Sequence, residues 1–133
     1  MSFPHFNDGC DRYHDLVVDF GGDKPIITVL CGSTRFHREF QEQNLNLTLA
    51  GHIVLTVGCD TQRDEDLMAD GVFGPVLKQR LDDLHKRKID LADEVLVLNI
   101  GGYIGDSTRS EIDYAEKLGK PVRYLEVFDD HQD

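Results

Sequence analysis

A glutamate in the C-terminal half of the chain has the type and position that nucleophilic chemistry requires. Glu111 follows a loop rich in glycines and hydroxyl groups, and it shares one helical face with Ala115 and Leu118, at spacings i, i+4 and i+7. This stripe should face a sheet. A carboxylate placed there is poorly solvated, so it is either satisfied by structural partners or kept for reaction.

The same stretch also fits a structural role for Glu111. The segment Thr108-Arg109-Ser110-Glu111 matches a capping box, in which the glutamate reaches back to the backbone N–H of Thr108 where the helix begins. The pattern alone leaves the nucleophile and the capping residue as equal alternatives.

His85 raises a similar question on a second predicted helix. It shares a face with Leu81, Ile89 and Ala92, and a histidine on an apolar stripe is more often a hydrogen-bonded core residue than a catalytic one. The position of His85 along the helix nevertheless favours a role at the candidate site. His85 lies eight residues before Asp93, which places it about 12 Å back from the helix end, towards the carboxyl edge of the sheet.

A first candidate anion site follows the first predicted strand. Gly32, Ser33 and Arg35 offer backbone N–H groups, a hydroxyl, a guanidinium and a helix N-terminus. The alternative is structural: the glycine eases a tight turn, the serine caps the helix and the arginine is solvated.

A second strand-to-helix loop has glycines for close approach to a ligand, although it matches neither a Walker loop nor GxGxxG. Its candidate binding residues are Gly105, Asp106, Ser107 and Arg109. His37, Asp60 and Asp106 are further polar candidates, for which a solvated loop is the favoured interpretation. No cluster of His, Cys, Asp and Glu has metal-ligand spacing, so we expect no metal, and no cofactor.

The elements that must position these residues alternate along the chain. Hydrophobic periodicity and turn residues predict strands at 26–31, 53–57, 94–100 and 121–126, and helices at 34–50, 75–91 and 108–118. The acidic stretch from Asp60 to Gly74 is predicted as loop. Alternation of this kind predicts an α/β fold of three layers, a parallel sheet of four or five strands with helices on both faces. One apolar stripe of the long helix is predicted to comprise Leu77, Leu81, Leu84 and Leu91.

Length and composition set the remaining expectations. A chain of 133 residues fits one domain, here 25–133, preceded by an extension at 1–24. Its net charge of −11 has the wrong sign for binding nucleic-acid polymers or anionic membranes through the bulk field. Three irregularly spaced cysteines indicate reduced thiols, and with no export signal we expect a soluble cytoplasmic protein.

Three segments resemble the nucleoside 2-deoxyribosyltransferase superfamily, and within it the 2′-deoxynucleoside 5′-phosphate N-hydrolases and cytidylate N-glycosidases. They are Ile27–Arg35 (ITVLCGSTR), Ala92–Val97 (ADEVLV) and Gly105–Ala115 (GDSTRSEIDYA), the last followed by Gly119-Lys120-Pro121-Val122. The likeness covers about residues 26–126. It implies a flavodoxin/Rossmann-like fold and a homodimer or larger assembly.

The resemblance also implies roles for the candidate residues. Glu111 would attack the anomeric carbon of the sugar, while Gly32, Ser33 and Arg35 would hold a 5′-phosphate with help from Ser107. The family's acid/base aspartate falls on His85 in this chain, and histidine can do the same work at neutral pH.

Together these observations predict an enzyme that hydrolyses the N-glycosidic bond of a nucleoside or deoxynucleoside 5′-monophosphate. Base exchange by a nucleoside 2-deoxyribosyltransferase is an alternative within the same class. A non-catalytic module that senses nucleotides is an alternative of a different class.

Overall fold

The computed structural model describes residues 24–57 and 74–127. Its strands and helices are β1 (Ile27–Gly32), α1 (His37–Leu49), β2 (Ile53–Leu55), α2 (Gly74–Leu91), β3 (Glu94–Leu98), α3 (Asp106–Lys117) and β4 (Val122–Tyr124). Short 3₁₀ turns at Thr34–Phe36 and Ile100–Gly102 precede α1 and α3. Apart from Lys24, the predicted N-terminal extension lies outside the described residues, and so does the predicted acidic loop up to residue 73.

The four strands form one parallel sheet in the order β2-β1-β3-β4. From β1 the chain moves first to one side, through α1 to β2, and then returns past β1 to β3 and β4. The gap between β1 and β3 is therefore the switch point of the sheet, where ligands bind beyond the carboxyl ends of the strands. This order confirms the predicted α/β fold of the flavodoxin type.

The two faces of the sheet carry separate apolar clusters, because side chains alternate along each strand. One face packs against α2 and α3, with its buried strand residues Val29, Cys31, Val95 and Val97. The other packs against α1, with Leu30, Leu96 and Leu98. The three predicted layers are thus present, and Cys31 lies on the same face as the two helices that carry the candidate catalytic residues.

The β3–α3 connection differs from its predicted bounds. β3 ends at Leu98 rather than residue 100, because the backbone turns through Gly101 and Gly102 with φ values of 66° and 80°. Glycine adopts this left-handed conformation at little cost. The helix then begins at Asp106, two residues earlier than the predicted Thr108.

One predicted face of α2 is wrong in part. Leu84 and Leu91, expected on its apolar stripe, are 53% and 68% exposed, whereas His85 and Ile89 are buried. The sheet-facing side of α2 therefore follows the stripe that contains His85, which satisfies the helical period equally well. Among the described residues, none of the helices combines the length and hydropathy that crossing a bilayer requires.

Candidate functional site

The first residues of α3 show whether Glu111 belongs to a capping box. Gly105 is the N-cap residue, so Thr108 is already inside the helix and buried. A capping box requires Thr108 itself at the N-cap position, and that alternative is therefore excluded. Glu111 lies in the second turn and faces the sheet with 8% of its surface exposed, as its apolar-stripe position predicted.

Glu111 meets two other buried side chains at the carboxyl end of β1. Cys31 comes from β1 and His85 from α2, and they are 0% and 5% exposed. The Glu111 Oε1 atom lies 4.0 Å from His85 Nε2, and Cys31 Sγ lies 3.4 Å from the same nitrogen. We call Cys31, His85 and Glu111 the carboxyl-edge cluster. The structure thus brings Glu111 and His85 together, as their positions in the sequence predicted.

The protonation state of His85 is set by a backbone carbonyl. Nε2 lies 3.0 Å from the Leu30 carbonyl oxygen, which can only accept a hydrogen bond, so Nε2 carries a proton and donates it. Burial first, and then the charge of Lys88, lower the pKa of His85 to about 4. At neutral pH the ring is neutral, and Nδ1 is the nitrogen able to accept a proton.

The carboxyl of Glu111 shifts in the opposite direction. Burial raises its pKa to about 7, despite an opposing hydrogen bond from the Cys31 thiol. Within the described part of the chain, no lysine or arginine forms an ion pair with Glu111. The site therefore holds a carboxyl that changes charge near neutral pH, which is typical of catalytic groups.

Cys31 is a member of the cluster that the sequence interpretation missed. The sequence predicts only a reduced thiol at this position, and in the structure Cys31 is a free, buried cysteine. Burial raises the pKa of its thiol well above the usual value, and the nearby Glu111 raises it further. The available signal was strand alternation, which places Cys31 on the same face as Val29 and therefore under α2 and α3.

The first loop shows the predicted serine cap, and its predicted anion binding stays a prediction. Gly32 packs closely against β3, since a Cβ there would lie 3.1 Å from both the Cβ and the carbonyl oxygen of Leu98, a tighter contact than most side chains make. Ser33 caps the 3₁₀ turn, accepting a hydrogen bond from the Arg35 backbone N–H at 3.3 Å. The Arg35 guanidinium is not simply solvated, because it stacks 4.2 Å above the centre of the Tyr103 ring.

Tyr103 joins the two candidate loops. It belongs to the β3–α3 loop, and its hydroxyl accepts a hydrogen bond from Arg35 Nη2 at 3.5 Å. A Cβ at Gly105 would lie 3.2 Å from the same hydroxyl, so the glycine makes room for the ring. Sequence reasoning did not select Tyr103, since a lone exposed aromatic carries no positional signal.

The second loop receives a cation from a neighbouring helix. Lys78 Nζ on α2 donates to Ser107 Oγ at 2.8 Å and pairs with Asp82 at 2.9 Å. Lys78 and Asp82 both act on the charge of Glu111. Neither Lys78 nor Asp82 was among the candidates that the sequence pattern indicated.

The remaining candidates lie further from the cluster. Asp106 and Arg109 are exposed, and Arg109 makes no side-chain hydrogen bond or ion pair with another described residue. His37 is exposed as well, and Asp60 lies outside the described residues.

All three side chains of the carboxyl-edge cluster are of types that bind metal ions. One ligand atom from each of them lies within 4.8 Å of the others. Positions 31, 85 and 111 are too far apart in sequence for motif spacing to reveal such a group. Spacing was the basis on which no metal site was predicted.

Comparison with known proteins adds no family to this geometry. No protein-family model matches the chain. No curated protein matches it either.

Proposed function

We propose that this protein hydrolyses the N-glycosidic bond of a nucleoside or deoxynucleoside 5′-monophosphate, with Glu111 as the nucleophile. The observation that carries the proposal is a buried glutamate that forms no ion pair with a lysine or arginine of residues 24–57 and 74–127, beside a buried histidine at the switch point of the sheet. An unpaired buried carboxylate is costly to the fold, which favours a functional reason for its presence.

In the first step, a Glu111 carboxylate oxygen bonds to the anomeric carbon of the sugar. The bond between that carbon and the base nitrogen breaks, and its electron pair leaves with the base. A proton must reach the departing base, and we assign its delivery to His85. In the second step, water attacks the same carbon, His85 takes up a proton, and Glu111 is released with the sugar phosphate.

The protonation states of the empty site require a specific active form. The reaction needs Glu111 as carboxylate and His85 as imidazolium, whereas at neutral pH burial favours a neutral histidine and a partly protonated glutamate. A bound phosphate brings negative charge to the site, which favours the imidazolium. The same negative charge disfavours the Glu111 carboxylate, which is favoured instead by the imidazolium beside it.

We assign the phosphate to the space between the loop that follows β1 and the loop that follows β3. Arg35 supplies a guanidinium held in place by Tyr103, and Lys78 presents an ammonium at the Ser107 hydroxyl. Arginine and lysine are the side chains that bind phosphate most often. Arg35 follows Cys31 by four residues, beyond the end of β1, and Lys78 precedes His85 by seven residues on α2.

The test is release of free base. Purified protein is incubated with ribo- and deoxyribonucleoside monophosphates and with the matching nucleosides, and the base is measured by chromatography. Release of base from a monophosphate supports the proposal, and adding a second free base separates hydrolysis from base exchange. Tight binding of nucleotides with no release from any substrate would instead support the sensing module and contradict the enzyme.

A further inference from the structure

The carboxyl-edge cluster combines three donor types that bind zinc in proteins. Thiolate, imidazole and carboxylate are the ligands of catalytic zinc sites, in which three protein groups leave a fourth position open. Here the three come from three different elements and are all buried. Such convergence of a cysteine, a histidine and a glutamate is a stronger pattern than a group of exposed acids.

The distances within the cluster suit a tetrahedral ion. Zinc–sulfur and zinc–nitrogen bonds of the usual length place sulfur and nitrogen about 3.5 Å apart, and Cys31 Sγ lies 3.4 Å from His85 Nε2. Glu111 Oε1 lies 4.0 Å from the same nitrogen. To complete the set, the Glu111 carboxylate must move inward and the His85 ring must turn away from the Leu30 carbonyl, which lies 3.0 Å from Nε2.

Charge also favours a divalent ion at this place. A thiolate and a carboxylate together neutralise a 2+ charge, so the occupied site carries no net charge in a buried setting. When no ion is bound, protons on the thiol and on the carboxyl neutralise these charges instead. Binding at His85 Nε2 would move the ring proton to Nδ1 and break the hydrogen bond to the Leu30 carbonyl.

We propose that Cys31, His85 and Glu111 bind a thiophilic divalent cation of the Zn²⁺ class at the carboxyl edge of the sheet. The thiolate selects zinc or cobalt over magnesium and calcium, which prefer oxygen ligands. The ion and a nucleotide sugar compete for the same carboxylate, so zinc inhibits turnover; this consequence rests on the proposed function, while metal binding itself does not.

Cobalt spectroscopy tests the binding without any assay of activity. Purified, metal-free protein is titrated with Co²⁺, and coordination by a cysteine thiolate gives a near-ultraviolet charge-transfer band, while tetrahedral geometry gives intense visible bands. We expect one equivalent of Co²⁺ to produce both. Zn²⁺ should then displace it, and Mg²⁺ should not.

Three cysteines in the chain supply matched controls. Cys31→Ser should abolish the charge-transfer band and weaken Zn²⁺ binding at least about a hundredfold, since even residues that only orient a ligand cost 10- to 100-fold. Cys10→Ser and Cys59→Ser should leave the band unchanged. Cys31→Ala and His85→Gln give independent versions of the same loss, with circular dichroism checking that each variant is folded.

The outcomes separate the two proposals. Absence of the band in wild-type protein, or its persistence in Cys31→Ser with loss in Cys59→Ser, overturns the metal site whatever the enzyme does. A Cys31-dependent band in a protein that releases no base sustains the metal site and removes the proposed function. With both present, micromolar Zn²⁺ should inhibit base release competitively, and a chelator should restore it.

Discussion

The two edges of the sheet each hold a glutamate beside a histidine, in different company. At the amino edge, Glu94 accepts hydrogen bonds from Thr28 at 2.7 Å and from Arg123 at 2.7 Å, and it lies 3.7 Å from His52. We call Thr28, His52, Glu94 and Arg123 the amino-edge cluster. The carboxyl-edge cluster has a similar spacing between glutamate and histidine but contains no arginine.

This difference in partners decides the charge of each glutamate. Burial alone would raise the pKa of Glu94, but the hydrogen bonds from Arg123 and Thr28 outweigh it and lower the pKa. At Glu111, burial prevails and the pKa rises to about 7. The comparison teaches that a carboxylate satisfied by donors stabilises the sheet, whereas one left to desolvation is available for reaction.

The largest expected difference between the edges is in activity. Glu111→Gln should reduce base release at least about a thousandfold, because it removes the nucleophile and keeps the side-chain shape. Glu94→Gln, the same change at the other edge, should alter kcat/KM by no more than a few-fold. If Glu111→Gln released base as fast as wild type, the functional difference between Glu111 and Glu94 would be contradicted.

Glu111→Gln should gain stability relative to wild type as the pH rises, although it loses activity. The folded-state pKa of Glu111 is raised from 4.5 to about 7, so its stabilising protonated form is fully present below pH 4.5 and lost as the pH rises to 7. The free energy of unfolding of Glu111→Gln, relative to wild type, should therefore increase over this window by roughly 3 kcal/mol and stay constant above it.

Glu94→Gln should behave as the reverse control. The lowered pKa of Glu94 contributes stability that is present above pH 4.5 and lost on further acidification. This variant should be less stable than wild type at neutral pH, by about 1 kcal/mol. Urea unfolding from pH 4 to 8 measures the free energy of unfolding of both variants. If the stability of Glu111→Gln and Glu94→Gln, relative to wild type, changed in the same direction, the opposite pKa shifts of the two glutamates would be contradicted.

The pH dependence of kcat/KM sharpens the role of the histidine. With a pKa of about 4 for His85 and about 7 for Glu111, the gain in carboxylate between pH 5 and 7 is cancelled by the loss of imidazolium, so the wild-type profile should be flat. Above pH 7 it should fall. In His85→Gln the imidazolium is no longer required, and kcat/KM should rise about tenfold per pH unit up to 7.

The ratio of the two profiles removes the ionisation of the substrate itself. Wild type and His85→Gln are measured on the same nucleotide in the same buffers, and the pair of pKa values belongs to the coupled cluster. Parallel profiles for the two proteins would remove His85 as the acid that protonates the base.

The smallest effect concerns anion binding at the carboxyl edge. Arg35→Ala should raise KM for a monophosphate about tenfold or more, the usual worth of a charge-assisted hydrogen bond, and leave KM for the nucleoside nearly unchanged. Arg123→Ala, at the amino edge, should lower stability without changing either KM. Equal losses for monophosphate and nucleoside in Arg35→Ala would move the phosphate away from this loop.

The fold and the meeting of Glu111 with His85 could be predicted because both follow from local periodicity. A helical repeat places Glu111 towards the sheet, and a fixed rise per residue places His85 near the edge where the loops lie. The parallel order of strands then brings the two helices onto one face. The predicted faces failed at Leu84 and Leu91, where two stripes of α2 overlap, and at Leu118, which is 45% exposed just beyond the end of α3.

Other parts of the site could not be predicted because they depend on contacts between distant segments. Lys78 meets Ser107 across two helices, and Arg35 stacks on Tyr103 from another loop. Cys31 gains its significance only from the two helices above it. The substrate, the acid/base role of His85 and the homodimer stay predictions.

Covalent trapping tests the central claim most directly. A 2′-fluorinated nucleoside monophosphate slows release of the glycosyl-enzyme, and intact mass spectrometry of the quenched protein, followed by peptide mapping, locates the sugar phosphate. We predict one adduct per chain, on the peptide containing Glu111, and none in Glu111→Gln or after heat denaturation. An adduct on any other residue, or base release without any adduct on Glu111, would contradict Glu111 as the nucleophile.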